Sequence, residues 1–313
     1  MTIDVLSIGS FPEATNAGLA SRFAVAHHLH PPVPDALAPE LRDRIRGIAT
    51  EANRGANRAL IMALPGLEVI SLFGVGTDNV DLAAARERNV PVTNTPGILT
   101  HEVADLAIGL MLASARQIVF ADRYVRDGTW ASQGPIPLGR TVAGKTMGVV
   151  GLGGIGRAIA DRGAAFRMRV IYSGPRRKPD ASYEYVGDLV ELARQSDYLM
   201  VACKGGPETR HLVGAAVIEA LGPTGTLINV ARGSVVDEEA LIKALSGGLL
   251  GHAALDVFER EPDPAPALLE LPNVIVQPHQ GSATLETRTA VGQLMIDNLS
   301  AHFAGQRLPT PVG

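Results

Sequence analysis

Short, nearly continuous apolar runs recur along the chain, separated by longer stretches in which apolar residues return every three or four positions. Runs of the first kind at 5–8, 69–73, 147–150, 169–172, 198–203, 227–230, 253–257 and 274–276 read as strands buried on both faces of a parallel sheet. The alternation of the two patterns predicts βαβ crossovers and hence an α/β chain. Val103, Leu106, Ala107, Leu110, Met111, Ser114, Ile118, Ala121 and Val125 hold a helical period over several turns and predict one long helix. It starts after Pro96-Gly97, a turn signal and a domain boundary. A second amphipathic pattern through Val291, Leu294, Met295, Leu299 and Phe303 stops at Gly305, a C-cap residue. Because it follows the last strand of the central lobe, the chain is expected to return there to its first lobe. The predicted domains are 1–98 completed by 282–313, and 99–281.

Composition narrows the class. A length of 313 residues suits two domains, and 46% hydrophobic with 19% charged residues suits a soluble globular protein. A net charge of −4 argues against nucleic-acid binding through a basic surface. The single cysteine, Cys203, rules out an internal disulfide and a cysteine-based zinc site. No uncharged apolar run nears the ~18 residues of a membrane span, and Met1-Thr2-Ile3-Asp4-Val5 lacks the features of a secretory signal. The expectation is a cytoplasmic protein with neither a membrane nor a nucleic-acid partner. His27, His28 and His30 have no further ligand group at helical spacing and read as surface residues, so no metal is expected.

The strand at 147–150 runs directly into Gly151-x-Gly153-x-x-Gly156 and then a helix rich in small residues. Gly151 permits the tight turn, Gly153 lets a pyrophosphate approach the backbone, and Gly156 lets helix and strand pack closely. The N–H groups and dipole at the helix start favour phosphate. About 20 residues on, where NAD enzymes place an acid for the ribose diol, the chain reads Ser173-Gly174-Pro175-Arg176-Arg177-Lys178, with no acid before Asp180. Two arginines there suit a 2′-phosphate; a solvated basic loop is the alternative. NADP(H) is the predicted cofactor, held by Arg176, Arg177 or both.

Three polar residues follow predicted strand ends: Arg232 after 227–230, Glu261 after 253–257 and His279 after 274–276. Ligands of open parallel sheets bind beyond the carboxyl ends of strands, which makes the three a set. Reducing a 2-keto acid needs a planar cation for its carboxylate and carbonyl oxygen, which arginine supplies. It also needs a proton donor for the developing alkoxide, and a histidine whose charged form a carboxylate favours is such a donor.

The segments Leu227-Ile-Asn-Val-Ala-Arg-Gly-Ser-Val-Val-Asp-Glu-Glu-Ala-Leu241, Leu255-Asp-Val-Phe-Glu-Arg-Glu-Pro262 and Pro278-His-Gln-Gly-Ser-Ala-Thr284 resemble the signatures of the D-isomer-specific 2-hydroxyacid dehydrogenases. With the glycine loop, the likeness extends over essentially the whole chain. Within that family the chain is similar to the NADPH-dependent glyoxylate/hydroxypyruvate reductases and to the plant-type hydroxyphenylpyruvate reductases. The resemblance implies two Rossmann-like or flavodoxin-like lobes with parallel sheets and an active site in the cleft between them. It makes Arg232, Glu261 and His279 the catalytic set and gives the loop after Phe73 to the substrate, with the Val75 and Gly76 amides holding its carboxylate. It places Thr100, Gly151, Leu152, Gly153, Gly154, Ile155, Gly156, Ser173, Cys203, Ala231, Asp256 and Gly281 around the cofactor. The implied substrate is a small 2-keto or 2-hydroxy acid: glyoxylate, hydroxypyruvate or an aryl pyruvate. A homodimer is implied, with the long helix at its interface. Asn53-Arg54-Gly55-Ala56 falls in the region of a second substrate-facing turn, and Trp130 reads as a core or interface residue or as a cap on the site.

Other readings share the scaffold. Formate oxidation is disfavoured because glutamine stands in such enzymes where this chain has Glu261; phosphite oxidation would keep all three residues. A non-catalytic NAD(P)-sensing scaffold is the rival outside enzymology. With the sequence ending at Gly313, a regulatory C-terminal domain is not expected.

Overall fold

The computed structural model describes residues 3–312; Met1, Thr2 and Gly313, cited above, lie outside it. The chain divides into two compact units, residues 3–99 with 283–312, and residues 100–282.

The first unit is built on five parallel strands: β1 (Asp4–Ile8), β2 (Ala24–His28), β3 (Ile45–Glu51), β4 (Val69–Phe73) and β5 (Val92–Thr93), in the order β2-β1-β3-β4-β5. This is the flavodoxin-like order, whose direction reverses between β1 and β3. Alternation along β1 sends Leu6 and Ile8 to one core, with Ile48, Leu60, Ile70 and Leu72. Val5 goes to the opposite core, with Leu19, Val69 and Phe73. The second core is closed by the helix Leu285–Phe303, which contributes Val291, Met295, Ile296 and Leu299. That helix is pinned through buried polar groups as well: Ser71 Oγ donates to the Met295 carbonyl at 3.1 Å, and Asn298 bonds both the backbone and the side chain of Thr310. It lies so close to the helix Glu13–Ala20 that a Cβ on Gly292 would sit 2.1 Å from Thr15 Oγ1.

The second unit has seven parallel strands: β6 (Thr146–Val150), β7 (Arg169–Ser173), β8 (Glu184–Tyr185), β9 (Tyr198–Val201), β10 (Thr226–Asn229), β11 (His252–Leu255) and β12 (Val274–Val276). Their order, β12-β11-β10-β9-β6-β7-β8, is the Rossmann arrangement with one added strand, and it reverses between β6 and β9.

Four strands escaped the sequence pattern: β2, β3, β5 and β8. In β3 the cause is local, since Arg46 and Gly47 interrupt the apolar run, and Gly47 is small because the Phe303 ring lies 3.3 Å from where its Cβ would be. His27 and His28, read as surface residues beside a proline run, belong to the edge strand β2, and the His27 ring lies 3.3 Å from Ser7 Oγ. The strand expected over 198–203 stops at Val201, leaving Cys203 in the following loop.

The single long helix expected after Gly97 is two, Thr100–Ala115 and Ile118–Arg126, bent by 59°. The periodicity runs through the break, but Gln117 takes a left-handed conformation, φ 52°. The returning backbone at Arg140 donates to the Ala115 carbonyl at 2.7 Å, ending the first helix there. No single helix among the described residues is long and apolar enough to cross a membrane.

Candidate active site

The glycine loop follows β6 and opens the helix Gly154–Ala165. Gly151 has φ 93°, and a Cβ on Gly156 would meet the Gly151 carbonyl oxygen at 2.0 Å, so both positions require glycine. Around Gly153 the situation is the opposite: a Cβ there would meet nothing within 4 Å, and Gly153 and Gly154 are exposed. The helix has no side-chain cap, which leaves its first N–H groups for an anion. An uncapped, open helix start at the strand-order reversal fits a dinucleotide pyrophosphate. Thr100 Oγ1 would lie 3.6 Å from a Cβ on Gly154, and Cys203 backs directly onto Gly151. Burial pushes the Cys203 thiol up to about 11, so it is not a nucleophile at neutral pH.

Beyond β7, the loop 174–178 is tied down by two tyrosine hydroxyls: Tyr172 accepts from Lys178 N at 2.8 Å, and Tyr185 donates to the Gly174 carbonyl at 2.9 Å. Arg176 and Arg177 are exposed and make no ion pair among the described residues. Asp180, the nearest acid, is held by Arg157 at 2.8 Å.

Arg232, Glu261 and His279 follow the adjacent strands β10, β11 and β12. Asn229 fixes the first turn, accepting from Ala231 N and donating to the Arg232 carbonyl, each at 3.0 Å. Gly233 allows the next loop to pass, since a Cβ there would fall 1.8 Å from the Phe258 carbonyl carbon. Glu261, in a cis peptide with Pro262, accepts from Phe258 N at 3.1 Å through Oε1 and pairs with His279 Nδ1 at 2.7 Å through Oε2. Burial opposes ionisation of Glu261. The His279 bond and charge, the Phe258 N–H and Arg232 outweigh it and hold the carboxyl below its ordinary range. With Nδ1 engaged, the Nε2 edge of His279 is left for a substrate.

Sequence reasoning missed how this set is held. His279 has a left-handed backbone, φ 56°, uncommon for a residue with a side chain. Asp256 holds it there: its carbonyl accepts from His279 N at 2.9 Å, and its buried carboxylate accepts from Gln280 N and Gly281 N at 2.6 and 2.8 Å. Burial pushes the Asp256 carboxyl above its ordinary range, against those two N–H groups. Both carboxylate oxygens of Asp256 are therefore committed to the turn carrying His279. The loop carrying Glu261 is braced from behind, where His211 Nε2 bonds Glu259 and the Glu238 carboxylate accepts from Glu259 N at 3.1 Å. His211 carried a readable signal only in its neighbourhood of charges, since its partners are 26 to 48 residues away.

In the other unit, the loop after β4 presents unpaired donors. The Val75 and Gly76 N–H groups bond nothing among the described residues, while the loop is fixed by Asn94 Nδ2, which donates to the Val75 carbonyl at 2.8 Å, and by Thr95 Oγ1, which accepts from Gly74 N at 3.2 Å. Trp130 is 60% exposed on the short helix Thr129–Gln133, which removes a core-packing role within the chain.

Residues 108–281 match the family described as D-isomer specific 2-hydroxyacid dehydrogenase, NAD binding domain. The chain is 48% identical over 94% of its length to the glyoxylate/hydroxypyruvate reductase A of Arabidopsis thaliana, of which it covers 94%. It is 50% identical over 86% of its length to the hydroxyphenylpyruvate reductase of Plectranthus scutellarioides, of which it covers 86%. A solved structure similar to it is the NADPH-dependent glyoxylate/hydroxypyruvate reductase of Sinorhizobium meliloti in complex with NADP and malonate. The TM-score is 0.95 at 39% identity, with 100% of this chain and 97% of that one covered.

Proposed function

The chain belongs to the D-isomer specific 2-hydroxyacid dehydrogenase family of oxidoreductases, and from that premise we propose that it reduces a small 2-keto acid to the D-2-hydroxy acid with NADPH. The observation that carries the proposal is the 2.7 Å His279–Glu261 pair at the strand ends that also bear Arg232. When bound, the reduced nicotinamide supplies the hydride. The Arg232 fork receives the substrate's carboxylate and carbonyl oxygen and polarises the carbonyl. His279 delivers a proton from Nε2 to the oxygen as its negative charge develops, and Glu261 stabilises the imidazolium and fixes the ring.

For the cofactor, Gly151 to Gly156 would receive the pyrophosphate at the uncapped helix. NADP is favoured over NAD because Arg176 and Arg177 are unpaired at the ribose position and Asp180 is engaged by Arg157. Hydroxypyruvate and glyoxylate are the first substrates to test, as the similar reductases carry those acids in their names. An apolar face on the helix Ile118–Arg126, none of whose residues is buried, supports a homodimer.

Initial rates with NADPH and NADH, each against glyoxylate, hydroxypyruvate and phenylpyruvate, test the reading. Turnover with NADPH is expected to exceed that with NADH, and changing Arg176 and Arg177 together to Ala is expected to weaken NADPH far more than NADH. Cofactor binding without turnover of any keto acid would overturn the assignment; equal losses for both cofactors would remove the arginines from phosphate recognition.

A further inference from the structure

Beside the loops that carry Arg232 and Glu261, within the second unit, lies a cluster of charged groups to which the reaction gives no part: His211, Asp237, Glu238 and Glu259. His211 joins the two loops. Through its backbone it belongs to the loop of Arg232. His211 N donates to the Ser234 carbonyl at 2.8 Å and Val213 N to the Val235 carbonyl at 3.0 Å, and Asp237 N returns to the Val213 carbonyl at 3.1 Å. Val213 and Val236 form a parallel bridge, so 211–213 runs like a short extra strand along the segment that follows Arg232. Through its side chain His211 belongs to the other loop, because Nε2 donates to the carboxylate of Glu259, two residues before Glu261.

The two loops interlock where His211 joins them. Gly233, next to Arg232, has no room for a side chain, since a Cβ there would strike the Phe258 carbonyl and Glu259 N. Both N–H groups of that stretch are taken by carboxylates: Phe258 N by Glu261 and Glu259 N by the buried Glu238, each at 3.1 Å. Asp237 Oδ2 stands 3.9 Å from His211 Nδ1, a charge beside the ring and not a hydrogen bond. His211 pays for its place with a left-handed backbone, φ 51°. That conformation is costly for a residue with a side chain, persists only where the surroundings enforce it, and concentrates at functional sites. A partly exposed histidine–carboxylate pair adds too little stability to account for it.

We propose that His211 is a positioning residue for the reaction: it locks the loop bearing Glu261 to the loop bearing Arg232 and so fixes the spacing between the guanidinium and the Glu261–His279 pair. The inference rests on the reading of the reaction given above. His211 acts through Glu259 and the short run of backbone from there to Glu261. Without it the Glu261 carboxylate shifts, and the His279 ring paired to its Oε2 at 2.7 Å shifts with it. The polarising cation and the proton donor must meet at one carbonyl oxygen, and a misplacement of about 1 Å costs on the order of a hundredfold in rate. The glycine loop and the loop 174–178 are held by other groups, so cofactor binding does not depend on His211.

The test compares the parent with His211→Leu, His211→Gln, Glu259→Leu and the variant carrying both leucines. In each, kcat and KM are measured for the best substrate among glyoxylate, hydroxypyruvate and phenylpyruvate, together with NADPH affinity from the nucleotide's fluorescence and the midpoint of denaturant unfolding. His211→Leu is expected to lower kcat about tenfold to a hundredfold, with NADPH affinity and the midpoint close to the parent's. His211→Gln keeps a side-chain N–H for Glu259 and is expected to recover most of the loss. Glu259→Leu removes the same bond without touching the strained position, so it carries the test if His211→Leu fails to fold. The double variant is expected to lose no more than either single one, as residues acting as a unit do. An unchanged kcat in Glu259→Leu, losses that multiply in the double variant, or parallel falls in kcat, NADPH affinity and midpoint overturn the proposal and leave the reaction in place. A parent that reduces none of the three acids overturns the reaction and this inference with it.

Discussion

Glu261 and His279 are separated by 17 intervening residues and meet because adjacent parallel strands deliver their ends to one edge. The coupling between them has a sign. Burial opposes ionisation of Glu261, and the His279 bond and charge help hold its carboxyl below the ordinary range. Glu261→Gln removes the carboxylate that orients the His279 ring, and kcat for keto-acid reduction is expected to fall about a hundredfold; an unchanged kcat would uncouple the pair. Linkage also applies to folding. A carboxyl depressed on folding contributes stability that is present above its ordinary pKa of 4.5 and is lost as pH falls through the folded value. At this scale the groups proposed to react were legible in the sequence, because Arg232, Glu261 and His279 are chemically distinctive and sit just past apolar runs. It did not disclose Asp256 as the clamp on His279 or His211 as the brace on Glu259. Those contacts join residues whose types have many other uses, and only the fold selects the pairing.

At the scale of elements, legibility followed the continuity of the apolar run. A strand with an unbroken apolar run, such as β9, was readable; β3 was not, because Arg46 and Gly47 interrupt its run, with the Phe303 ring 3.3 Å from where a Cβ on Gly47 would be. The two-residue strands β5 and β8 carry too little pattern to detect. The kink at Gln117 was hidden because its cause is the distant Arg140 backbone. The turn carrying His279 is the element with the most at stake. Asp256→Asn keeps the shape but replaces one acceptor oxygen with an NH₂ group, so one of the Gln280 and Gly281 N–H groups loses its partner. A loss of about 1–3 kcal/mol in unfolding free energy is expected from denaturant titration, with a larger relative loss in kcat than in cofactor affinity. A variant as stable as the parent would show that the two bonds do not hold the turn.

For the whole molecule, two parallel sheets with different strand orders were foreseeable as a class but not in their number of strands. The alternation of strand and helix gives the class, whereas edge strands depend on tertiary support. The exposed apolar residues concentrate between 118 and 138: Ile118, Val119, Phe120, Val125, Trp130 and Leu138, the last 95% exposed. Such a concentration on one segment is the mark of an association surface. Sedimentation is expected to give twice the mass of one chain, and Phe120→Asp combined with Val125→Asp to shift it toward one. A native protein that sediments as a single chain would refute the dimer.

The return of 283–312 to the first unit also matters during synthesis. Val291, Met295, Ile296 and Leu299 emerge only after the whole of 100–282 has been translated, about ten to forty seconds after the first unit's own strands at typical elongation rates. Until then Leu19, Val69 and Phe73 lack the helix that covers them. The second unit holds all seven of its strands in one stretch of chain and is free to fold first, on the ribosome. The nascent first unit is thus the natural client for a chaperone, and a ribosome stalled before codon 285 releases a chain with one finished sheet and one sheet still open to aggregation.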